Sequence, residues 1–409
     1  MFAWLNSLSP AIRQYMLVTG NYWAFTLTDG ALRMLVVLFF YDLGYSPLAI
    51  AMLFIFYEVF GVITNLVGGW LGARLGLNKT MNIGLFVQVV ALAMLLVPTA
   101  MLTVPWVMAA QALSGIAKDL NKMSAKSSIK LLVPNDAQSQ LYKWVAILTG
   151  SKNALKGVGF FLGGLLLSLL GFAGAVLTMA VGLLLVWLLS LLMLKKDLGK
   201  AKRRPKFTEL FSKSRDINFL SAARMFLFAA RDVWFVVALP VYLSSQFGWD
   251  HWTVGGFLAL WVIGYGLIQS QAPRITGKGR GHSPSGAQSL VWLSLLAVVT
   301  ALIALALTQD WYVEYALLGG LLVFGGLFAV NSSVHSYLIV SYASHDGVSM
   351  DVGFYYMANA MGRLIGTVLS GWLYQAYGLA TCLWVSSLSI LLAVLISLAL
   401  PKHPATENA

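Results

Sequence analysis

Long apolar windows recur along this 409-residue chain, and nothing else in it limits the possible folds so sharply. A hydrocarbon core about 30 Å thick is crossed by about 20 helical residues. Twelve windows of that size lie between charged or turn-forming breaks, at about 17–41, 47–70, 81–102, 104–125, 143–170, 172–194, 217–243, 252–272, 286–308, 312–338, 350–377 and 379–400. With 59% of its residues hydrophobic and 10% charged, the chain is too apolar for one or two water-soluble domains. An all-α integral membrane protein with twelve transmembrane helices is expected. The opening MFAWLNSLSPAIRQYML lacks the basic, apolar, small-residue order of a cleaved signal peptide, so the first window is expected to persist in the mature protein.

The connections set the orientation, because short cytoplasmic loops are enriched in Lys and Arg. Arg74 and Lys79 follow the second window, Lys130 and Lys143 the fourth, and Arg274, Lys278 and Arg280 the eighth, with Arg13 and Lys402 near the ends. YDLGYS, FGWDHW and TQDWYVE, which join odd to even windows, contain neither Lys nor Arg. Both termini are therefore expected in the cytoplasm. The longest loop, KKDLGKAKRRPKFTELFSKSRD (195–216), carries nine basic residues and reads as a solvated linker that touches anionic lipid head groups. The net charge of +12 is divided among such loops and the apolar windows, which argues against a nucleic-acid partner. One cysteine, Cys382, makes no internal disulfide, and the spacing of Cys and His suits no metal site, so neither cofactor nor metal is expected. No polar loop offers catalytic acids or a nucleophile with its base, so the chain is not expected to be an enzyme.

The linker falls halfway along and implies a six-helix bundle over 1–194, a basic linker over 195–216 and a second six-helix bundle over 217–409. A trace of duplication supports this: at an offset of 207, Lys156, Gly159, Gly164 and Gly171 align with Arg363, Gly366, Gly371 and Gly378. At an offset of 205, Ser127, Ser128 and Lys130 align with Ser332, Ser333 and His335. Two repeated six-helix halves resemble the plan of the major facilitator superfamily, which implies a substrate site near the midplane. GGWLGARLGLNKT (68–80) resembles that superfamily's gating loop through Gly69, Leu71, Arg74, Gly76 and Lys79, although Ala73 stands where an aspartate is usual. Its second-half counterpart, QAPRITGKGRG (271–281), is more degenerate.

Charges inside the windows cost at least about 3 kcal/mol each unless a partner, a wet cavity or a function retains them. They are Asp29 and Arg33 in the first window, Glu58 in the second, Lys118, Asp119 and Lys122 in the fourth, Lys152 and Lys156 in the fifth, Arg231 and Asp232 in the seventh and Arg363 in the eleventh. The third, sixth, ninth and twelfth have none, which suits lipid-facing positions. Seven cations against four anions leave three positive charges in surplus, and an anionic ligand relieves such a surplus.

In SGIAKDLNKMSAKSSIK (114–130), Lys118, Lys122, Lys126 and Lys130 recur every fourth residue, with Ser114 above them. Such spacing drifts only about 40° per step, so the lysines form one slanted stripe about 18 Å long. Lys118 and Lys122 are expected deep in the membrane, either binding substrate or pairing with Asp119. Lys126 and Lys130 are expected at the cytoplasmic entrance, contacting substrate or snorkelling. Lys152 and Lys156 share a face beside Asn153. Asp29 and Arg33, one turn apart, either neutralise each other or serve the site, Arg33 as a substrate contact. Arg231 and Asp232, being sequential, are expected to diverge without pairing on their own helix. Arg363 takes the repeat position of Lys156, giving two cations that flank a site, and Arg suits bidentate phosphate or arsenate recognition. Asp29, Glu58, Asp119, Asp232 and His335 are candidates for coupling protons, with Arg74 a gating candidate; internal hydrogen bonds explain Glu58 and His335 equally well.

Longer stretches narrow the resemblance. NYWAFTLTDGALRMLVVLFF, FYEVFGVITNLVGGWLGARLGLNKTMNIGL, QALSGIAKDLNKMSAKSSIKLLVP, ILTGSKNALKGVGFFLGGLLL and FAARDVWFVVALPVYL resemble the organoarsenical efflux permeases of the ArsJ family, nearly end to end. The resemblance implies a bacterial inner-membrane exporter of 1-arseno-3-phosphoglycerate that confers arsenate resistance. It also implies functional pairing with a glyceraldehyde-3-phosphate dehydrogenase, which makes the ester from arsenate; a monomer in lipid is expected. The substrate would carry phosphate at one end and arsenate at the other. Lys118, Lys122, Lys152 and Lys156 are assigned to one end, and Arg33, Arg231 and Arg363 to the other. The competing reading, which also needs a cationic cavity, is exchange of an organophosphate for inorganic phosphate.

Overall fold

A computed structural model describes residues 9–45, 53–134, 137–194, 198–202, 205–211, 213–277 and 284–401. Ten long helical rods account for most of them, with no strand among the described residues. They are α1 (Pro10–Asp42), α2 (Ile55–Leu75), α3 (Leu77–Met94), α4 (Val104–Leu132), the rod Gln138–Met193, α7 (Arg215–Phe247), α8 (His251–Ile275), α9 (Gly286–Thr308), α10 (Val313–Tyr342) and the rod Val348–Ser397. Lys278, Arg280 and Lys402, used to orient the loops, lie outside the described residues.

Two rods are each broken by one glycine. Gly171 has φ 66° and Gly378 φ 81°, in the left-handed region where a Cβ is penalised. They split the rods into α5 (138–170) and α6 (172–193), and α11 (348–377) and α12 (379–397), which brings the spans to twelve. The two breaks are 207 residues apart, the offset at which the halves align, and neither glycine has a neighbour within 4 Å of a Cβ built there. The duplication is therefore visible as backbone conformation as well as residue identity.

Local chemistry explains where helices begin. Ser9 and Ser214 accept from the amides of Ile12 and Ile217, both at 3.4 Å, and Asp250 accepts from Thr253 at 2.7 Å. Each satisfies an amide that a helix start leaves open. Within α7 the helix is interrupted at Val236 and Val237, and the Ser370 hydroxyl accepts from the Ala238 amide at 3.1 Å. Nine of the rods or helices are long and apolar enough to cross a membrane. The stretch α4 has the length but too many charges to count as apolar. Leu185, Leu192, Leu302 and Leu395, on α6, α9 and α12, are exposed, as helices that face hydrocarbon require.

The described chain forms two compact units: 1–137, 151–212 and 343–357 in the first, and 138–150, 213–342 and 358–409 in the second. Each takes in the opening turns of a helix whose remainder belongs to the other. Adding 207 to 138–150 gives 345–357, so the exchange itself follows the repeat. In unit 1, Ser349 donates to the Gly69 carbonyl at 2.7 Å, and a Cβ on Gly353 would fall 2.6 Å from the Asn65 carbonyl oxygen. In unit 2, Tyr142 packs 5.1 Å from Tyr337 between ring centres, and Thr276 donates to its hydroxyl at 3.0 Å. The core of unit 2 is aromatic, with Trp234 edge-on to Phe324 at 4.9 Å and Trp261 donating to the Leu321 carbonyl.

Candidate functional site

In unit 1, Asp29, Arg33, Glu58, Lys118, Asp119, Lys122, Lys126 and Lys156 form one connected network. On α1, Asp29 accepts two hydrogen bonds from the Tyr57 hydroxyl of α2, at 2.7 and 3.0 Å, and lies 3.9 Å from Lys156 Nζ of α5. Lys118 Nζ of α4 sits 3.7 Å above the Tyr57 ring and 3.9 Å from Asp119. Asp119 in turn pairs with Lys122 at 2.6 Å. Lys122 and Lys126 then share the Tyr356 ring, at 4.7 and 5.4 Å from its centre. The lysine stripe is thus continuous, held by carboxylates and aromatic faces in alternation.

Glycines permit this. A Cβ on Gly61 would lie 3.1 Å from Asp119 Oδ2, and one on Gly30 would lie 2.7 Å from the Lys156 carbonyl oxygen. Side chains at those positions would hold α2 from α4 and α1 from α5, separating the partners. Asp119 is 1% exposed, whereas the Lys118 and Lys122 side chains keep 11% and 14% of their surface.

Several pairings depart from expectation. Asp29 and Arg33 do not neutralise each other, although they sit one turn apart. Arg33 reaches Glu58 at 3.7 Å and lies over Phe54 and Tyr57, because neighbouring helices offer partners with better direction than its own. The pair between Asp119 and Lys122 is present as an i,i+3 contact. Helix α4 continues to Leu132, and Lys126 and Lys130 are buried on it, at 3% and 8% exposure. Lys152 donates to Asn153 at 3.2 Å. Arg74 stacks its guanidinium on Trp70 at 4.7 Å, and the carbonyl of Ala73, which lacks the family's carboxylate, accepts from Ala201 at 2.8 Å.

Unit 2 carries a smaller cluster. Asp232 on α7 accepts from Arg231 at 2.6 Å and from Arg363 of α11 at 3.3 Å. The expectation that Arg231 and Asp232 could not pair on one helix is wrong: the guanidinium is long enough to fold back on its neighbour. A Cβ on Gly366 would fall 3.0 Å from Asp232 Cβ, so this glycine brings α11 against α7 as Gly159 brings α5 against α1. Each half therefore pairs an aspartate of its first helix with a cation of its fifth. His335 shares a 2.9 Å hydrogen bond with Ser289 in the fully buried interior.

Sequence reasoning missed Arg224. It lies within the seventh window, donates to Asn359 at 2.9 Å and to the Ser332 carbonyl at 3.3 Å, and stacks over Phe228 at 4.0 Å. A complete census of charges in the windows would have found it, together with Asp351, which accepts from the Ser344 amide at 3.1 Å. Tyr356 left no charge to notice; only its place beside the stripe reveals it.

The sequence profile of the Major Facilitator Superfamily matches residues 18–318, well over half of the chain. The chain belongs to this superfamily. No curated protein matches it. Among solved structures, the human organic anion transporter MFSD10 (TETRAN) is 17% identical with a TM-score of 0.77, covering 95% of this chain and 100% of that one. The proton:xylose symporter XylE is 14% identical with a TM-score of 0.75 and coverage of 95% and 96%. The E. coli fucose:proton symporter FucP is 12% identical with a TM-score of 0.74 and coverage of 95% and 98%. At these identities the likeness concerns the fold. As a superfamily member the protein is a multi-pass membrane transporter for a small substrate.

Proposed function

We propose that this transporter exports an organic anion with two acidic ends, 1-arseno-3-phosphoglycerate, by alternating access of the halves 1–194 and 217–409, and so confers arsenate resistance. The observation that carries the reading is the imbalance of charge. In unit 1, Arg33, Lys118, Lys122, Lys126, Lys130, Lys152 and Lys156 outnumber Asp29, Glu58, Asp119 and Asp351, seven to four. In unit 2, Arg224, Arg231 and Arg363 outnumber Asp232, three to one. Each surplus favours an anionic ligand. The lysines of unit 1 suit an acidic group as point charges, while the arginines of unit 2 suit one through planar forks.

In this mechanism Asp119 is the resident counter-anion. It lies between Lys118 and Lys122, and an arriving phosphate or arsenate competes with it for both ammonium groups. The competition keeps binding reversible, as transport requires. Asp29 and Asp232 play the same part beside Lys156 and Arg363. An inside-negative potential favours outward movement by about 2.3 kcal/mol per charge per 100 mV, so efflux of a multiply charged anion is driven by the potential alone. The reading places the protein in the bacterial inner membrane, termini inward, supplied by a glyceraldehyde-3-phosphate dehydrogenase that uses arsenate.

Everted vesicles containing the protein test this when given arsenate, glyceraldehyde 3-phosphate, nicotinamide cofactor and the dehydrogenase. Arsenic accumulation that needs every component is the expected result. Failure to accumulate, with exchange of labelled phosphate for glycerol phosphate, would replace this reading with an organophosphate antiporter.

A further inference from the structure

A second polar site of unit 2 lies at the start of α7, where the basic linker enters it and several turns before Arg231 and Asp232. Arg215, Asn218, Phe219 and Ala222 recur at i, i+3, i+4 and i+7, and so share one face of the first two turns. With Lys213 they line a cavity of about 570 Å³ in unit 2, within the range of small-molecule sites. The Arg215 guanidinium lies 5.5 Å from the Phe219 ring centre, which frames one wall, and the small side chain of Ala222 leaves space further along. The lining residues include two cations and no carboxylate; Asp216 follows Arg215 directly and projects about 100° around the helix from it.

The lining is graded along the helix. Cations come first, then the Asn218 amide, then Phe219 and Ala222 as α7 runs on into its apolar part. A glycerophospholipid has the same order: phosphate, glycerol esters, acyl chain. We infer that this cavity is a binding site for an anionic glycerophospholipid, with its phosphate between Lys213 and Arg215, its ester region near Asn218 and an acyl chain along Phe219 and Ala222. The charges explain the preference for an anionic head group, and the apolar end explains why a free phosphate ester binds poorly. The site lies where the linker ends, so a bound lipid ties the start of the second half to the membrane surface. It is independent of the transported substrate.

The test uses the full-length purified protein in nanodiscs of phosphatidylcholine, with or without phosphatidylglycerol, and native mass spectrometry to count lipids retained after stepwise activation. Phosphatidylglycerol should be retained preferentially, and the Lys213→Gln/Arg215→Gln variant should lose that preference about tenfold, with Ala222→Leu doing so by filling the cavity. A charge-neutral change elsewhere in the linker, Lys200→Gln, should leave it intact and controls for total charge. Equal retention of phosphatidylglycerol by the double variant and the parent overturns the inference. So does displacement of the lipid by millimolar glycerol phosphate, which would mark the cavity as a site for soluble phosphate esters.

Discussion

Helices α4 and α10 occupy equivalent places in the repeat, yet they carry opposite chemistry. At the offset of 205, Lys118, Asp119, Lys122 and Lys126 of α4 correspond to Val323, Phe324, Leu327 and Asn331 of α10. Polar counterparts remain toward the end of the stripe, where Lys126 meets Asn331 and Ser127, Ser128 and Lys130 meet Ser332, Ser333 and His335. Where the buried Asp119 stands in unit 1, unit 2 has Phe324, stacked on Phe328 at 5.6 Å in its aromatic core. What the halves share instead lies on the first and fifth helices of each, an aspartate against a cation: Asp29 with Lys156 and Asp232 with Arg363. Duplication preserved the backbone and that one pairing, while the rest of the binding chemistry diverged.

The largest effect is expected where the contrast is sharpest. Replacing both Lys118 and Lys122 with Gln strands the buried Asp119 carboxylate and should cost about 3–5 kcal/mol of stability, read as a lowered thermal midpoint in detergent. Adding Asp119→Asn should recover most of that stability and none of the transport, which separates folding from function. In unit 2 a single replacement is milder, because it leaves Asp232 one of its two arginines. Arg363→Gln leaves Arg231 in place and should cost about 1–2 kcal/mol, while substrate affinity falls about tenfold by equilibrium binding. Arg363→Lys should restore the stability but only part of the affinity, since the ammonium lacks the bidentate fork.

Where the halves agree, so should their variants. Gly171→Ala and Gly378→Ala both force a Cβ into the left-handed region without a clash and should each cost about 1–2 kcal/mol in the same unfolding assay. Clearly unequal costs would break the equivalence of the two rods. The smallest effect is expected at His335, which shares its Nε2 hydrogen bond with Ser289: His335→Gln should change initial transport rates less than twofold.

The span count and the charge-poor helices were legible in the sequence because apolar length is a local property. So was the repeat, since Gly171 and Gly378 must be glycine to hold a positive φ. Partner choice was not legible. Whether Arg33 turns to Asp29 on its own helix or to Glu58 on the next depends on how helices approach, and that is set by small residues such as Gly30 and Gly61 acting on distant segments. The pairing of Arg231 with Asp232 was misjudged by treating the side chains as short vectors when the guanidinium can curl back. Arg224 was a simple omission, and Tyr356 became a candidate only through its contact with Lys122 and Lys126.

The central claim is that the surplus cations of each unit serve the transport of a doubly acidic anion. Its most direct test is equilibrium binding to the purified protein of 2,3-bisphosphoglycerate, a stable three-carbon acid with two phosphates, against 3-phosphoglycerate, which has one. The account predicts at least tenfold tighter binding of the bisphosphorylated ligand. That advantage should disappear both in the Lys118→Gln/Asp119→Asn/Lys122→Gln variant and in Arg363→Gln. Equal affinity for the two ligands, or an advantage that survives neutralisation in either unit, would contradict it.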